Sequence, residues 1–313
     1  MGRYIARRLL AALAVLVTVG VLTFVLAYVV PGDPARTLVG IRASAADVER
    51  IREALGLNRP LVAQLADYLL RAAQGDFGYS YQLRTPVLPL VLERFPATAQ
   101  LAAAGVAVSV LLGVPLGVVS ATFRGRGPDR LASVVAVVLV SVPAFWLGYL
   151  LLHFLAFRPL VAWQVEVFPL SGYQPLDPRF LALPALTLGL TGAAYYSRMT
   201  RSALIDELGR DYVRTARAKG LRERLVTWRH AMRNVTPPLL TQAGLDLGFF
   251  LGGVVIIEQV FSWPGIGKLA VDAIYKADVP LIMGTVLFAT VCIVVANLVV
   301  DVGVALLDPR IRR

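Results

Sequence analysis

The sequence predicts an all-α integral membrane protein with six transmembrane helices and both termini in the cytoplasm. Hydrophobic residues fill 57% of its 313 positions and charged residues only 16%, below the roughly 25% of soluble domains. Six apolar stretches approach or exceed the about 20 residues that a helix needs to cross a bilayer. The predicted spans are residues 9–30, 97–122, 131–156, 180–197, 237–261 and 280–307.

The first four spans have individual features. The first follows Arg3, Arg7 and Arg8, as a secretory signal would, but it is longer than the about 7–15 residues of a signal peptide's apolar region, so we expect it to be retained. Spans two and three contain Pro115 and Pro143, which either loosen the backbone beside a cavity or form static kinks. The fourth span is short and glycine-rich, so its ends are the least defined.

The fifth span combines small residues with a carboxylate. Gly244, Gly248 and Gly252 recur every four residues, and such a face permits either tight helix packing or a backbone-lined cavity. Asp246 lies near the middle of the span, where a carboxylate is costly enough to suggest a function. It is predicted either to line a substrate path or to make a structural hydrogen bond to a neighbouring span. These four residues are the candidates for a translocation path.

The distribution of basic residues predicts the orientation of the chain. If all six spans cross, four segments rich in Lys and Arg share one side: residues 1–8, 123–130, 198–236 and 308–313. The positive-inside rule places that side in the cytoplasm. The opposite side receives residues 157–179 and 262–279, each with two Lys/Arg balanced by two acids. It also receives the long segment 31–96, since long loops translocate largely regardless of charge.

Segment 31–96 is predicted to be an ordered external region rather than a simple connector. Ser44 can cap a helix that Gly56 closes, and Pro60 suits the first turn of a second helix. Residues 44–72 are predicted to form a docking platform for an external protein, or alternatively a lid that packs on the membrane region. No separate soluble domain is visible, so residues 1–313 are predicted to form a single transmembrane domain.

The cytoplasmic segment 198–236 carries ten Lys/Arg and four Asp/Glu. A central Lys or Arg costs about 2.5–3.5 kcal/mol in a bilayer, so this segment must lie outside it. A short helix is permitted up to Lys219, Gly220 ends it, and a second helical stretch leads to span five, which Pro237 and Pro238 are expected to begin. Such a unit could fit a cleft in a partner; the alternative is a solvated loop.

Composition and motifs argue against several other classes. Cys292 is the one cysteine, so the chain has neither a disulfide framework nor a cysteine-based metal site. His153 and His230 lack partners at ligand spacing, and no metal site is predicted. The usual motifs of nucleotide binding, serine hydrolysis and zinc proteolysis do not occur. We therefore predict no catalytic residue and no cofactor in this chain. Topology explains the net charge of +11 better than nucleic-acid binding.

Several short motifs, in a fixed order, carry a family resemblance over nearly the whole chain. They are Pro31-Gly-Asp-Pro34, Gly75-Asp-Phe-Gly78, Glu93-Arg-Phe-Pro96, the run from Asp211 to Leu221 (DYVRTARAKGL) with His230, Arg233 and Asn234, Pro264-Gly-Ile-Gly267, and Leu307-Asp-Pro-Arg310. Together they resemble the membrane subunit of a bacterial ABC importer in the dipeptide/oligopeptide/nickel permease family, specifically the first of its two permease subunits. Gly220 and Ala216 also match the loop signature of ABC permeases in general, although Arg214 and Thr215 replace its Glu and Ala.

The resemblance implies a coupling role for the cytoplasmic segment. In the family, a short helix in this loop docks into the ATPase subunit. Carried over to this chain, the ATPase-coupling residues are Asp211, Tyr212, Arg214, Thr215, Ala216, Arg217, Lys219 and Gly220. We expect Ala216 to face the ATPase closely and Arg214 and Arg217 to meet its acidic or carbonyl groups. Gly220 is expected to supply a bend at positive φ.

The resemblance also implies the fold, the partners and the substrate class. It predicts the transmembrane-domain fold of a type I ABC importer in the bacterial inner membrane. The expected partners are a homologous second permease subunit, two cytoplasmic ATP-binding subunits that hold ATP and Mg, and an external substrate-binding protein. Peptides are the expected substrates, with nickel or glutathione-like solutes as alternatives. A different class, a stand-alone proton-coupled carrier that titrates Asp246 or Asp301, is disfavoured because no inverted repeat is visible.

Overall fold

The computed structural model describes residues 2–29, 34–39, 44–54 and 56–307, and this part of the chain is almost entirely helical. Its β-type pairing is limited to an isolated antiparallel bridge between Tyr79 and Pro86. The helices are α1 (Gly2–Val29), α2 (Pro34–Val39), α3 (Ala45–Ala54), α4 (Leu61–Ala73), α5 (Val87–Thr122), α6 (Gly127–Ser141), α7 (Ala144–Leu151), α8 (Arg158–Trp163), α9 (Pro178–Leu208), α10 (Asp211–Ala218), α11 (Glu223–Leu225), α12 (Met232–Leu251), α13 (Val255–Val260), α14 (Ile266–Tyr275) and α15 (Val279–Leu307), with π-helical turns at Leu152–Phe157 and Val226–Ala231. The predicted all-α class is confirmed.

Five helical segments among the described residues are long and apolar enough to cross a membrane: Ala6–Leu26, Val87–Thr122, Ala144–Trp163, Pro178–Leu208 and Val279–Gly303. Four of them coincide with predicted spans one, two, four and six. The total of six spans and the cytoplasmic placement of both termini stay predictions, because length and composition single out five segments in the described part of the chain.

The third predicted span is not one continuous helix. Helix α6 ends at Ser141 and α7 begins at Ala144. Between them Val142 adopts extended backbone, with φ −82° and ψ 125°. A residue that precedes proline is driven out of the helical region by the proline ring, so Pro143 explains the break. The prediction of a single helix over residues 131–156 is therefore wrong.

The fifth predicted span, residues 237–261, is also interrupted. Helix α12 ends at Leu251 and α13 begins at Val255. Gly253, in the gap, has φ +109°, a region that side chains strain to adopt. A Cβ atom on Gly253 would lie 3.0 Å from the amide nitrogen of Gly267. Backbone therefore packs closely against backbone at this break.

Pro237 and Pro238 lie inside α12, which begins at Met232. The expectation that they start the fifth span is wrong, because the chain is helical without interruption from Glu223 through the π-helical turn into α12. Proline lacks an amide hydrogen and removes helical hydrogen bonds. Membrane helices tolerate this where neighbouring groups satisfy the freed carbonyls.

Segment 31–96, which is predicted to be external, contains the two predicted helices, α3 and α4. Ser44 caps α3, since its Oγ accepts a hydrogen bond from the Asp47 amide at 3.2 Å. Gly56 follows with φ +67°, as predicted for a helix-closing glycine. The last residues of segment 31–96 belong to α5, which begins at Val87 rather than at residue 97. Residues 31–33, 40–43 and 55 lie outside the described part of the chain.

The chain forms two compact units, with residues 1–98, 250–255 and 264–313 in the first and residues 99–249 and 256–263 in the second. In the first unit, the buried carboxylate of Asp278 accepts hydrogen bonds from the Ser80 hydroxyl and from the Gln82 amide at 3.1 Å. These bonds hold the turn before α5 against the start of α15. An apolar cluster packs beside them: Val87, Val91, Ile266, Leu269, Ala273 and Leu281.

The second unit is built on close packing of α5 against α9. A Cβ atom on Gly113 would lie 2.5 Å from the Ala193 carbonyl, and one on Gly117 would lie 2.5 Å from the Ser197 carbonyl. Only glycine fits at these two positions without moving α9. Small residues let membrane helices approach closely, and here they do so along the second half of α9, from which segment 198–236 continues.

Candidate coupling site and intramembrane carboxylate

Helix α10 is a short amphipathic helix outside the apolar segments. Its inward side chains, Val213 and Ala216, are 0% and 6% exposed. They are three residues apart and therefore share one face. They pack on Val226 from the π-helical turn, with Leu208 and Leu221 at the edge of the same cluster. This small core fixes an eight-residue helix that would be unstable alone in water.

Gly220 ends α10 with the predicted positive φ, at +76°. The Gly220 amide donates to the Arg217 carbonyl at 2.9 Å, and the Leu221 amide donates to the Ala216 carbonyl at 3.4 Å. This pair of bonds is a Schellman motif, in which a left-handed residue satisfies the last carbonyls of a helix. The predicted bend at Gly220 is confirmed.

The outward face of α10 is polar. Asp211 and Arg214 form an ion pair at 3.3 Å, and their side chains are 94% and 73% exposed. Thr215 and Lys219 are exposed as well. Immediately beyond the helix lies an open cleft of about 670 Å³, lined by Gly220, Leu221, Arg222, Arg224, Leu225 and Trp228. The surface therefore combines positive charge with exposed apolar side chains.

Two of the predicted coupling residues are engaged with their own chain. Ala216 is buried in the chain's own apolar cluster, and its close contact with a partner stays a prediction. Arg217 binds Glu223 with Nε–Oε1 and Nη2–Oε2 distances of 2.7 and 3.2 Å and donates to the Leu208 carbonyl at 3.4 Å. The Arg217 guanidinium thus binds acidic and carbonyl groups of its own chain. These bonds connect α10 to the residues just before and just after it.

Tyr212 joins α10 to both neighbouring long helices. Its hydroxyl donates to Glu207 of α9 at 2.5 Å. The Asn234 amide of α12 donates to the same Glu207 oxygen at 3.0 Å and to the Tyr212 oxygen at 3.0 Å. Burial, and after it the Glu207 carboxylate, raises the pKa of Tyr212, so the phenol stays a hydrogen-bond donor. Three helices therefore meet in one closed triangle of hydrogen bonds.

Asp246, predicted to lie inside the membrane, is held by two donors. The Tyr196 hydroxyl of α9 donates to it at 2.7 Å, and the Gln242 amide, one turn earlier on α12, donates at 2.8 Å. The hydrogen bond to a neighbouring helix, one of the two predicted roles, is confirmed. Asp246 is nevertheless only half-buried.

The three candidate path glycines divide between the two units. Gly248 is buried and Gly244 is half-buried in the second unit, whereas half-buried Gly252 belongs to the first. The assignment of these three glycines and of Asp246 to a translocation path stays a prediction.

Asp129 is a buried carboxylate that the sequence reasoning missed. It accepts from Arg201 Nε and Nη2 at 2.7 and 2.9 Å, from Ser120 at 2.5 Å and from the Gly125 amide at 2.8 Å. The Arg201 guanidinium, followed by the Ser120 hydroxyl and the Gly125 amide, holds the pKa of Asp129 well below its usual range. An acidic residue inside a strongly basic loop was the signal that could have identified it.

Among the described residues, no cluster of three or more His, Cys, Asp or Glu side chains could hold a metal ion. The site combines a short helix whose apolar face is covered by its own chain, an exposed polar face, and hydrogen bonds that connect this helix to two long helices.

A helical membrane domain with a short, internally braced helix between two long helices fits the membrane component of an ABC importer. The chain belongs to the family "Binding-protein-dependent transport system inner membrane component", whose model matches residues 113–313; the corresponding N-terminal model matches residues 1–102. It is thus an inner-membrane transport component of an ABC importer rather than an enzyme.

Named relatives and solved structures agree with this assignment. The chain is 40% identical over 312 residues to the glutathione transport system permease protein GsiC of Escherichia coli K12 and of Shigella dysenteriae, a match that covers 100% of the chain and 99% of each relative. Its fold is similar to that of the inward-facing MetNI methionine ABC transporter, with a TM-score of 0.56 and 21% identity over 70% of this chain and 96% of that one. An amino acid ABC transporter, solved with histidines, gives a TM-score of 0.51 with 16% identity over 71% and 94%. The predicted importer fold is confirmed.

Proposed function

We propose that this chain forms half of the translocation pathway of an ATP-driven importer of short peptides, with glutathione-like peptides inside the substrate class. The observation that carries the proposal is the braced helix α10, whose apolar face is covered by its own chain while its polar face stays exposed. Resemblance to glutathione permeases over the whole length supports the substrate class. Nickel complexes are the alternative substrate.

The proposed partners are a homologous second permease, two ATP-binding subunits and an external substrate-binding protein. In this arrangement the exposed residues Asp211, Arg214, Thr215 and Lys219 contact the ATPase, while Val213 and Ala216 hold the helix in place. Tyr212, Arg217 and Gly220 brace it. ATP and Mg are bound by the partner ATPases. The chain's own part is to convert ATPase movement into opening and closing of the path, beside which we place Gly244, Asp246, Gly248 and Gly252.

The test is uptake by the complete transporter in proteoliposomes that contain ATP. We expect ATP-dependent uptake of radiolabelled glutathione or of a labelled dipeptide when the cognate binding protein is present. Arg214→Glu reverses a charge on the exposed face of α10 and should reduce both ATPase retention and uptake by about tenfold or more, as the loss of a charge-assisted contact predicts.

Lys276→Glu is the matched control, because Lys276 is exposed at the end of α14, which the predicted topology places outside; it should retain the ATPase. Uptake driven by a proton gradient without ATPase subunits would contradict the proposed function. Uptake of Ni²⁺ alone would overturn the peptide assignment.

A further inference from the structure

Helices α9 and α12 are connected by hydrogen bonds at two levels. At the lower level, Glu207 of α9 accepts from Asn234 of α12 at 3.0 Å. At the upper level, Tyr196 of α9 donates to Asp246 of α12 at 2.7 Å. The two α9 residues are eleven positions apart and the two α12 residues twelve, so the pairs have the matched spacing that antiparallel helices require.

A continuous apolar core fills the space between these two levels. Tyr196 and Leu204 of α9 are fully buried. They belong to one cluster with α12 and α5: Val118, Ala121, Tyr196, Leu204, Ala231, Met232, Val235 and Leu239. Close-packed apolar interiors resist shear because every displacement opens voids. The two helices are therefore fixed against each other at both ends and along the length between them.

Helix α10 is attached to the lower level of this pair. Tyr212 donates to Glu207 at 2.5 Å and accepts from Asn234 at 3.0 Å. Its side chain thus contacts one residue of each long helix. A displacement of α10 must either carry both helices with it or break these hydrogen bonds.

We propose that α9 and α12 act as one rigid lever, and that Tyr212 is the positioning residue that attaches the coupling helix to it. At 1.5 Å per residue, the upper level lies roughly 16 Å along the helices from the lower one, about half the thickness of a bilayer's hydrocarbon core. Movement imposed on α10 therefore reaches Asp246 inside the membrane. This inference rests on the proposed function, since it requires a partner that moves α10.

The first test removes single hydroxyl groups from the complete transporter. Tyr212→Phe keeps the aromatic ring but removes both hydrogen bonds of the hydroxyl, and Tyr196→Phe removes the single bond to Asp246 at the upper level. We expect the number of ATP molecules hydrolysed per substrate imported, measured on complexes of equal ATPase content, to rise on the order of tenfold, the factor that one hydrogen bond to a charged group represents. Tyr275→Phe, at a residue 85% exposed at the end of α14, is the control with an unchanged ratio.

A purely structural role for Tyr212 would lower the yield of complex without changing this ratio, and that result would overturn the proposal. If the Tyr212→Phe complex does not assemble, the variants Glu207→Gln and Glu207→Leu test the same hydrogen bonds from the other partner. Glutamine retains a hydrogen-bond acceptor and should preserve coupling, whereas leucine should raise the ratio. An equal ratio in the two Glu207 variants would also overturn the lever.

The second test measures distance directly. Spin labels on Lys219→Cys, beside α10, and Leu245→Cys, on α12, are placed in a Cys292→Ala background. We expect the distance between them to be the same with and without ATP, since a rigid lever moves as a unit. A change larger than the width of the distance distribution would contradict the proposal. If ATP drives no uptake at all, the proposed function fails; if ATP drives uptake but the ratio and distance tests fail, only the lever fails.

Discussion

At the residue scale, Gly220 shows how one backbone angle ends α10. It lies at φ +76° with no atom within 4 Å of the position that a Cβ would occupy. Space is therefore available, and only the backbone conformation excludes other residues. A non-glycine residue in the left-handed region costs about 1–2 kcal/mol. Such strain would destabilise the packing of Val213 and Ala216 against Val226, because this small core forms only when the chain reverses direction at Gly220.

Gly220→Ala should therefore loosen α10 without removing any contact. We expect amide hydrogen exchange across residues 213–221 to accelerate by about 5–30-fold, the factor that corresponds to 1–2 kcal/mol. Gly127→Ala is the matched control, since Gly127 also has no neighbour within 4 Å but lacks a positive φ. Equal amide exchange rates in the two variants would show that a side chain at position 220 causes no strain.

At the element scale, the inner end of α9 connects the neighbouring helices of its unit. Arg201 reaches Asp129 at the start of α6, and Glu207 reaches α10 and α12. Asp129 is 6% exposed and Arg201 33%. Loss of one partner from a buried ion pair leaves an uncompensated charge, which costs far more than loss of a surface pair.

Arg201→Ala should lower the melting temperature of the purified chain by roughly 5–10 °C, which corresponds to about 2–3 kcal/mol at 2–4 °C per kcal/mol. Because Asp129 has a lowered pKa in the folded state, its stabilisation is present above the unfolded pKa of about 3.9 and is lost only as the pH falls through the folded pKa. The difference between variant and wild type should thus be the same at about pH 6 and pH 8.

Arg50→Ala is the control for this measurement. Arg50 pairs with Asp47 in α3, but the two side chains are 75% and 44% exposed. Exposed pairs contribute about 0–1 kcal/mol, so the melting temperature should change little. A comparable loss in both variants would show that burial of Asp129 has no energetic role.

At the scale of the whole molecule, exposed apolar side chains indicate the surroundings that the chain requires. Leu10 in α1 and Leu131 in α6 are 68% and 67% exposed, and Val299 in α15 is 65% exposed. Large apolar surfaces of this kind mark membrane or partner contacts in a folded protein. The inner-membrane location accounts for these exposed apolar side chains. The charged segments between the helices are predicted to set the orientation of the chain across the membrane.

The predicted topology is tested by cysteine accessibility in a Cys292→Ala background. Leu176→Cys lies in the predicted external segment 157–179 at a residue 85% exposed, and Gly127→Cys lies in the predicted cytoplasmic segment 123–130. A membrane-impermeant thiol reagent should label Leu176→Cys in intact cells and Gly127→Cys only after permeabilisation. Labelling of Gly127→Cys in intact cells would invert the topology.

Features that depend on local physics could be predicted from the residues alone. The helical class follows from long apolar runs, the cap at Ser44 from a hydroxyl at a helix start, and the bend at Gly220 from the steric freedom of glycine. The break at Val142 belongs to the same category. It follows from the steric effect of Pro143 on the preceding residue, which interrupts the apolar run over residues 131–156.

Which side chains meet depends on how the whole chain folds. Tyr196 and Asp246 are fifty residues apart, and nothing in the sequence near either one specifies the other. Ala216 and Arg217 match a family motif, but the motif does not say whether they face a partner or their own chain. The eight-residue helix α10 is too short to be stable alone, so burial of Val213 and Ala216 against Val226 determined which face is left for a partner.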